Sequence, residues 1–242
     1  VQAVIFDMDG LLIDSEPLWH VAEKEVFGAL GLTLTDAMCE ETTGLRTDEV
    51  VAYWYAKQPW PGGRQRFEDV AHEIVVRMQE LIRAHGVALQ GVDDILQLFQ
   101  QRQLALGLAS SSPPALIDTV VDKLRIRHYF RVLCSAIDEA WGKPHPAVYL
   151  TTAKRLGLPP RDCLVFEDSI NGIRAAKAAG MITVAVPAVH QYEDERFGEA
   201  DFKLRSLSDF SWELVKSTSQ RSIHAAPPQG EERVTEKFGP AW

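Results

Sequence analysis

The sequence predicts an α/β protein: a Rossmann-like three-layer core with a parallel sheet, plus a small α-helical cap domain inserted after the first strand. Three observations support this prediction. Short apolar runs rich in β-branched residues alternate with segments of helical periodicity. Each such run ends at polar residues, as buried parallel strands commonly do. Residues 15–86, in contrast, show helical patterns and no strand-like run.

The core elements follow in order along the chain. The predicted strands are Val1–Phe6, Leu104–Ala109, Arg131–Ala136, Cys163–Phe166 and Ile182–Val186. The predicted core helices are Asp93–Gln103, Pro114–Arg125, Pro146–Leu156 and Ile170–Ala179. Pro146 suits the first turn of a helix, and Gly157 and Gly180 suit helix C-terminal caps.

The chain is predicted to divide into three parts. Helical patterns at Leu18–Leu30, Asp48–Lys57 and Phe67–Ala84 place a helical cap domain at residues 15–86. The core domain is then discontinuous, with residues 1–14 and 87–216. Residues 217–242 are rich in Ser, Gln, Pro, Gly and charge, which predicts a disordered tail.

Composition narrows the class of partner. The 242 residues include 25 Lys and Arg against 34 Asp and Glu, a formal net charge of −9. This balance argues against a general nucleic-acid or anionic-membrane binder. The three scattered cysteines fit a reducing compartment, so we expect a cytoplasmic protein. We expect a monomer that binds a small molecule.

Two carboxylates, Asp7 and Asp9, directly follow the first predicted strand in the segment Phe6-Asp7-Met8-Asp9-Gly10. The carboxyl ends of parallel strands line the ligand crevice of an α/β sheet. Placing two acids there is costly unless a cation or a reaction uses them. An Asp-x-Asp alone is equally typical of a helix cap or an Asx-turn.

Two further motifs follow later strands. Ser110 and Ser111 come after the second strand, where hydroxyls and free N–H groups at a helix start can bind an anion. Lys143 stands between Gly142 and Pro144, and its ammonium can hold a negative charge. Taken alone, the serines also suit an ordinary cap and the lysine an ordinary surface position.

A second acidic pair, Glu167 and Asp168, ends the fourth predicted strand. With Asp7 and Asp9 it would bring four carboxylates to one crevice, where their mutual repulsion requires a cation. A hard, partly hydrated cation with oxygen ligands fits this set, and Mg²⁺ is such a cation.

The two Asp, the Ser, the Lys and the acidic pair, each at a strand end and in this order, resemble the haloacid dehalogenase superfamily of phosphohydrolases. The resemblance covers residues 1–210, and residues 15–86 resemble the helical cap of that family. It implies that Asp7 is the nucleophile that forms an aspartyl-phosphate. It implies that Asp9 is the general acid and then the general base, which argues against dehalogenation.

The resemblance also implies binding roles. Ser110, Ser111 and Lys143 would hold the phosphoryl oxygens. The implied magnesium ligands are Asp7, Asp9 through its backbone carbonyl, Glu167 and Asp168.

Within the superfamily, residues 7–19 and 54–60 resemble bacterial phosphatases of small sugar and sugar-alcohol phosphates. Arg46, in a Gly-x-Arg pattern of the cap, is a candidate for substrate specificity. Trp19 is another, because it stands where β-phosphoglucomutases carry a His, with His20 displaced by one. Neighbouring residues of a helix point about 100° apart, so His20 would face a different direction from a His at position 19. This weakens the mutase interpretation.

The motifs also leave two further classes of protein open. Phosphoglycolate phosphatases share the same motifs. Receiver domains of signalling systems also surround a phospho-Asp with acids, a Ser or Thr, a Lys and Mg²⁺. They are shorter, lack a cap and carry the acceptor on a middle strand, whereas Asp7 ends the first strand here.

Overall fold

The computed structural model describes residues 1–215, so the tail predicted at 217–242 lies outside the described residues. Within residues 1–215, one sheet contains six parallel strands in the order β3-β2-β1-β4-β5-β6. The strands are β1 (Ala3–Phe6), β2 (Ala105–Ser110), β3 (Val132–Ser135), β4 (Cys163–Glu167), β5 (Ile182–Ala185) and β6 (Phe202–Lys203). The predicted α/β fold class is confirmed.

Helices connect the strands. Between β1 and β2 lie α1 (Glu16–Ala29), α2 (Asp36–Glu40), α3 (Thr47–Lys57), α4 (Phe67–His85) and α5 (Val92–Gln101). The later helices are α6 (Pro114–Lys123), α7 (Ala147–Leu156) and α8 (Ile170–Ala178). Residues 15–86, with α1 to α4, form the segment inserted after β1. Within this inserted segment, α1 and α3 both pack on α4. The division of this segment from the core as a cap domain stays a prediction.

Both faces of the sheet are covered. Successive residues of a strand point to opposite faces, so neighbours in β1 pack into different clusters. On one face, Ile5 belongs to a buried apolar cluster that includes Tyr149 of α7. On the other, Phe6 stacks on Phe166 with ring centroids 5.1 Å apart, and Phe99 of α5 packs against both rings. The central strands are therefore apolar on both faces, which is the pattern that predicted them.

Two short elements were not predicted. Strand β6 has only two residues, and α2 has five, too few for a periodic pattern to show. Helix α2 is instead marked by a cap, since Thr35 Oγ1 accepts a hydrogen bond from the backbone N–H of Met38. Among residues 1–215, no helix is both long and apolar enough to cross a membrane.

The topology determines where a ligand can bind. Strand β1 lies between β2 and β4, with Ile5 in register with Gly107 and Val165. The chain runs outward to β3 on one side of β1 and then returns to β4 on the other. A crevice forms at such a reversal, outside the carboxyl ends of the strands. The segments that follow β1, β2 and β4 therefore meet there.

Candidate active site

One cavity collects most of the residues predicted from the sequence. Its wall includes Asp7, Asp9, Trp19, Ser110, Ser111, Lys143 and Asp168. Glu167 is fully buried beside it and Lys143 links the two. The topology therefore brings together residues that are up to 161 positions apart in the chain, Asp7 and Asp168.

Lys143 is shared by two carboxylates. Its Nζ lies 2.5 Å from Asp7 Oδ1 and 2.6 Å from Glu167 Oε1, and it also donates to the carbonyl of Ala109. The ammonium is almost completely buried, and burial alone would lower its pKa. The charges of Asp7 and Glu167 outweigh burial and raise the pKa of Lys143, so it is a permanent cation at the end of β1.

Glu167 has several hydrogen-bond donors. Besides Lys143, its Oε1 accepts from the Tyr149 hydroxyl at 2.6 Å, and its Oε2 accepts from the backbone N–H and hydroxyl of Ser169. Burial would raise the pKa of Glu167, but Lys143 and the other donors hold it below its ordinary value. Glu167 thus fits a residue that positions Lys143. Tyr149 was not predicted, because in the sequence it resembles an ordinary apolar helix position.

Asp9 points toward a different group of side chains. Its Oδ1 accepts hydrogen bonds from Ser15 Oγ at 2.8 Å and Trp19 Nε1 at 3.1 Å. Its Oδ2 accepts from Ser112 Oγ at 2.7 Å. Ser110 Oγ also donates to Oδ2, at 3.5 Å. Four donors therefore hold this carboxyl group in one orientation at the cavity. Ser15 and Ser112 were not predicted, although Ser112 belongs to the run of serines that follows the second predicted strand.

The two predicted phosphate-binding serines have unequal surroundings. Ser110 ends β2, is buried, and its Oγ accepts from the backbone N–H of Ser112 at 3.0 Å. Ser111 Oγ donates to the backbone carbonyl of Gly44 at 2.9 Å, so it also joins the loop after β2 to the inserted segment. Both line the cavity just before α6 begins at Pro114.

The site holds more acidic side chains than cationic ones. Burial raises the pKa of Asp7 to about 8, against the opposing effect of Lys143. Burial, followed by the charges of Asp7 and Glu167, raises the pKa of Asp168 well above its usual range. Carboxylate oxygens of Asp7, Glu167 and Asp168 lie within 4.8 Å of one another. The site thus has one lysine and three buried acids, and the acids offer oxygen atoms as metal ligands. This set fits a hard divalent cation such as Mg²⁺.

Gly10 completes the first motif for a steric reason. Its φ is +70°, and a Cβ at this position would lie 2.1 Å from Asp168 Oδ2. Any larger residue would displace the Asp168 carboxylate and strain the backbone. The glycine of the segment Asp7-Met8-Asp9-Gly10 therefore makes room for the acidic pair that ends β4.

Arg46 is not among the described residues that line the cavity. Its guanidinium pairs with Asp48 and donates through Nη1 to the carbonyls of Ala136 and Glu139, which follow β3. The structure thus places this side chain between the inserted segment and the core. Its role in specificity stays a prediction.

The comparisons with known proteins agree with this geometry. Residues 1–180 match the family model of the haloacid dehalogenase-like hydrolases. The chain is 42% identical over 212 residues to hexitol phosphatase B of Escherichia coli K12, covering 87% of this chain and 95% of that protein. It is 31% identical over 195 residues to the phosphorylated carbohydrates phosphatase of Thermotoga maritima, covering 80% and 88% of the two chains.

A solved structure extends the similarity to the fold. The structure of CbbY from Rhodobacter sphaeroides in complex with phosphate superposes with a TM-score of 0.80 at 25% identity. The match covers 86% of this chain and 96% of that chain. The superfamily predicted from the sequence motifs is confirmed: the chain is an enzyme that belongs to the haloacid dehalogenase-like hydrolases.

Proposed function

We propose that the chain hydrolyses small sugar or sugar-alcohol phosphate monoesters, of the 2-deoxyglucose 6-phosphate or hexitol phosphate type, with Mg²⁺ and through an aspartyl-phosphate. The observation that carries this proposal is one cavity that is lined by Asp7, Asp9, Ser110, Lys143 and Asp168. The similarity to a hexitol phosphatase over most of both chains supports the substrate class.

Each residue of the site has a step to perform. An Asp7 carboxylate oxygen attacks phosphorus, and the bond from phosphorus to the ester oxygen breaks. Asp9 gives a proton to the departing alcohol and later takes one from the water that attacks the aspartyl-phosphate. That second attack releases inorganic phosphate and restores the Asp7 carboxylate. Lys143 and Ser110 hold the phosphoryl oxygens and offset their charge.

The magnesium ligands proposed are Asp7, the Asp9 backbone carbonyl and Asp168, with Glu167 binding beside them directly or through water. Glu167 also holds Lys143. When bound, Mg²⁺ supplies positive charge between the phosphate and the acidic side chains. The excess of buried carboxylates over Lys143 is the property of this chain that supports such a cation.

Phosphate release from p-nitrophenyl phosphate tests the proposal. Steady turnover with Mg²⁺ is expected, with loss of activity in EDTA and recovery when Mg²⁺ is added back. Asp7→Asn should lower kcat by at least about 1,000-fold, because it removes the nucleophile. Asp14→Asn, an exposed position in the same motif, is the matched control and should keep wild-type activity. Stoichiometric phosphorylation without turnover would instead indicate a receiver-like switch.

A substrate screen separates the phosphatase from the related enzymes that share its motifs. We expect hexitol phosphates and 2-deoxyglucose 6-phosphate to exceed 2-phosphoglycolate in kcat/KM. Conversion of β-glucose 1-phosphate to glucose 6-phosphate would identify a β-phosphoglucomutase. The hydrolase is favoured because the side chain that bonds Asp9 from α1 is the indole of Trp19, which cannot exchange a proton with it at neutral pH.

A further inference from the structure

The cavity has a second polar end, away from Asp7. Trp19, His20 and Glu23 of α1 line it, and Glu23 follows Trp19 by four residues and His20 by three. Trp19 contacts Asp9, which marks the reacting end. Glu23 lies four residues further along the helix, about 6 Å along its axis. The carbon chain of a hexitol phosphate bound at Asp7 extends over a comparable length.

Glu23 is a buried acid with an unused acceptor. Its side chain is 6% exposed, and its Oε2 has no hydrogen-bond partner within the part of the chain that the structure describes. A buried carboxylate oxygen without a donor is costly, and a ligand hydroxyl would remove that cost. Burial raises the pKa of Glu23 to about 7, while a hydrogen bond from the Cys39 thiol opposes the rise.

His20 offers a second unpaired polar atom at this end of the cavity. Its Nδ1 lies 3.0 Å from Asp36 Oδ1, and hydrogen bonds from Lys24 and His20 keep the pKa of Asp36 low. An ionised carboxylate only accepts, so Nδ1 carries a proton. In the neutral imidazole, Nε2 is then a bare acceptor. This atom is buried and has no hydrogen-bond partner among residues 1–215.

The charge at this end opposes a second phosphate. Among the described residues of the cavity wall, Lys143 is the single Lys or Arg, and it lies at the Asp7 end. The unpaired oxygen of Glu23 and the unpaired nitrogen of His20 suit hydroxyl groups, and the Glu23 carboxylate repels phosphate oxygens.

We propose that Glu23 and His20 form a hydroxyl-binding subsite that accepts the distal hydroxyls of a sugar-alcohol monophosphate and rejects bisphosphates. The inference rests on the proposed phosphatase function and names the residues that select its substrate. It assigns substrate specificity to side chains of α1, whereas the sequence indicates Arg46.

The first test compares kcat/KM for sorbitol 6-phosphate with that for p-nitrophenyl phosphate, which has no hydroxyl chain. Glu23→Gln should lower the ratio of the two values about tenfold, and His20→Phe should lower it several-fold. Glu25→Gln is the matched control on the same helix, because Glu25 is a surface residue paired with Arg77. It should leave the ratio unchanged.

The second test uses the negative charge of the Glu23 carboxylate. Above pH 7, where Glu23 is ionised, wild-type protein should prefer fructose 6-phosphate over fructose 1,6-bisphosphate. Glu23→Gln should narrow that preference at least about threefold, because it removes a negative charge. Equal effects of Glu23→Gln and His20→Phe on both substrates of the first test would overturn the inference. So would an unchanged preference in the second test.

Failure of the subsite is distinguishable from failure of the proposed function. If wild-type protein releases phosphate from neither p-nitrophenyl phosphate nor any sugar phosphate, the proposed function is wrong and the subsite falls with it. If wild-type protein turns over both substrates and the two ratios stay at their wild-type values in the variants, the subsite alone is wrong. Thermal unfolding of each variant checks that it is folded.

Discussion

At the scale of single residues, the orientation of Asp9 depends on a donor from the inserted segment. Trp19→Phe keeps an aromatic ring but removes the N–H that donates to Asp9 Oδ1 at 3.1 Å. We expect kcat for p-nitrophenyl phosphate to fall about fivefold, the effect of one lost hydrogen bond of ~1 kcal/mol. KM should change little, because Trp19 acts through Asp9.

Trp60→Phe is the matched control for this experiment. Trp60 is also buried in the inserted segment, but its Nε1 has no hydrogen-bond partner among the described residues. This variant should keep the wild-type kcat at a temperature where it is folded. If kcat of Trp60→Phe falls as much as kcat of Trp19→Phe, loosened packing rather than the lost hydrogen bond explains the loss in Trp19→Phe.

The buried carboxyl of Glu23 makes stability depend on pH. Below its ordinary pKa of 4.5 it is neutral in the folded and the unfolded chain, and above about 7 it is ionised in both. Between these values the unfolded chain ionises first, so the folded state loses stability as pH rises. Cys39 from α2 opposes the shift, and Glu16 on its own helix adds to it.

Glu23→Gln should therefore stabilise the protein most above this window. By urea unfolding, the gain should be near zero at pH 4.5, grow as pH rises, and level off above pH 7. The size of the shift corresponds to about 3 kcal/mol, at about 1.4 kcal/mol for each pKa unit. A gain that is equal at every pH would contradict the titration of Glu23.

At the scale of elements, α8 begins against the carboxylate that positions Lys143. A Cβ on Gly172, in the first turn of α8, would lie 1.6 Å from Glu167 Oε1. Gly172→Ala should push this carboxylate away from Lys143 and lower kcat at least about tenfold, with circular dichroism unchanged. Gly198→Ala is the control, because its Cβ meets nothing within 4 Å. Wild-type kcat for Gly172→Ala would contradict this role of Glu167.

The sequence predicted the site residues that follow strands and missed those that reach the site only through tertiary packing. Asp7, Ser110 and Asp168 could be placed in one crevice because each lies at the end of a parallel strand, and the topology does the rest. Tyr149 and Ser112 contact Glu167 and Asp9 only in the folded protein. No local pattern distinguishes a helix tyrosine that donates to a buried acid from one that fills a core.

At the scale of the whole molecule, Arg46 joins the inserted segment to the loop after β3 through the carbonyls of Ala136 and Glu139. Arg46→Ala should lower kcat/KM for sorbitol 6-phosphate and p-nitrophenyl phosphate by a similar factor, about fivefold, because it loosens this contact. Arg77→Ala is the control, since Arg77 pairs with Glu25 and Glu80 within the inserted segment. A larger loss on the sugar-alcohol ester would instead support the specificity role that the sequence predicts for Arg46.

The net charge of −9 has a local explanation. Residues 15–86 carry 7 basic and 12 acidic residues, a net charge of −5, and residues 217–242 have equal numbers of both. The negative charge is thus shared between the inserted segment and the core, whose buried acids lie around Lys143. A substrate with a single phosphate meets the least repulsion in such a field.

The face of α1 that carries Trp19, His20 and Glu23 has a practical consequence for protein engineering. The acids and the lysine of the site follow strands of the sheet, whereas the side chains proposed to bind the distal part of the substrate lie on one helix of the inserted segment. Randomising positions 20 and 23 while leaving Trp19 in place gives a small library in which selectivity can be redirected without disturbing the nucleophile.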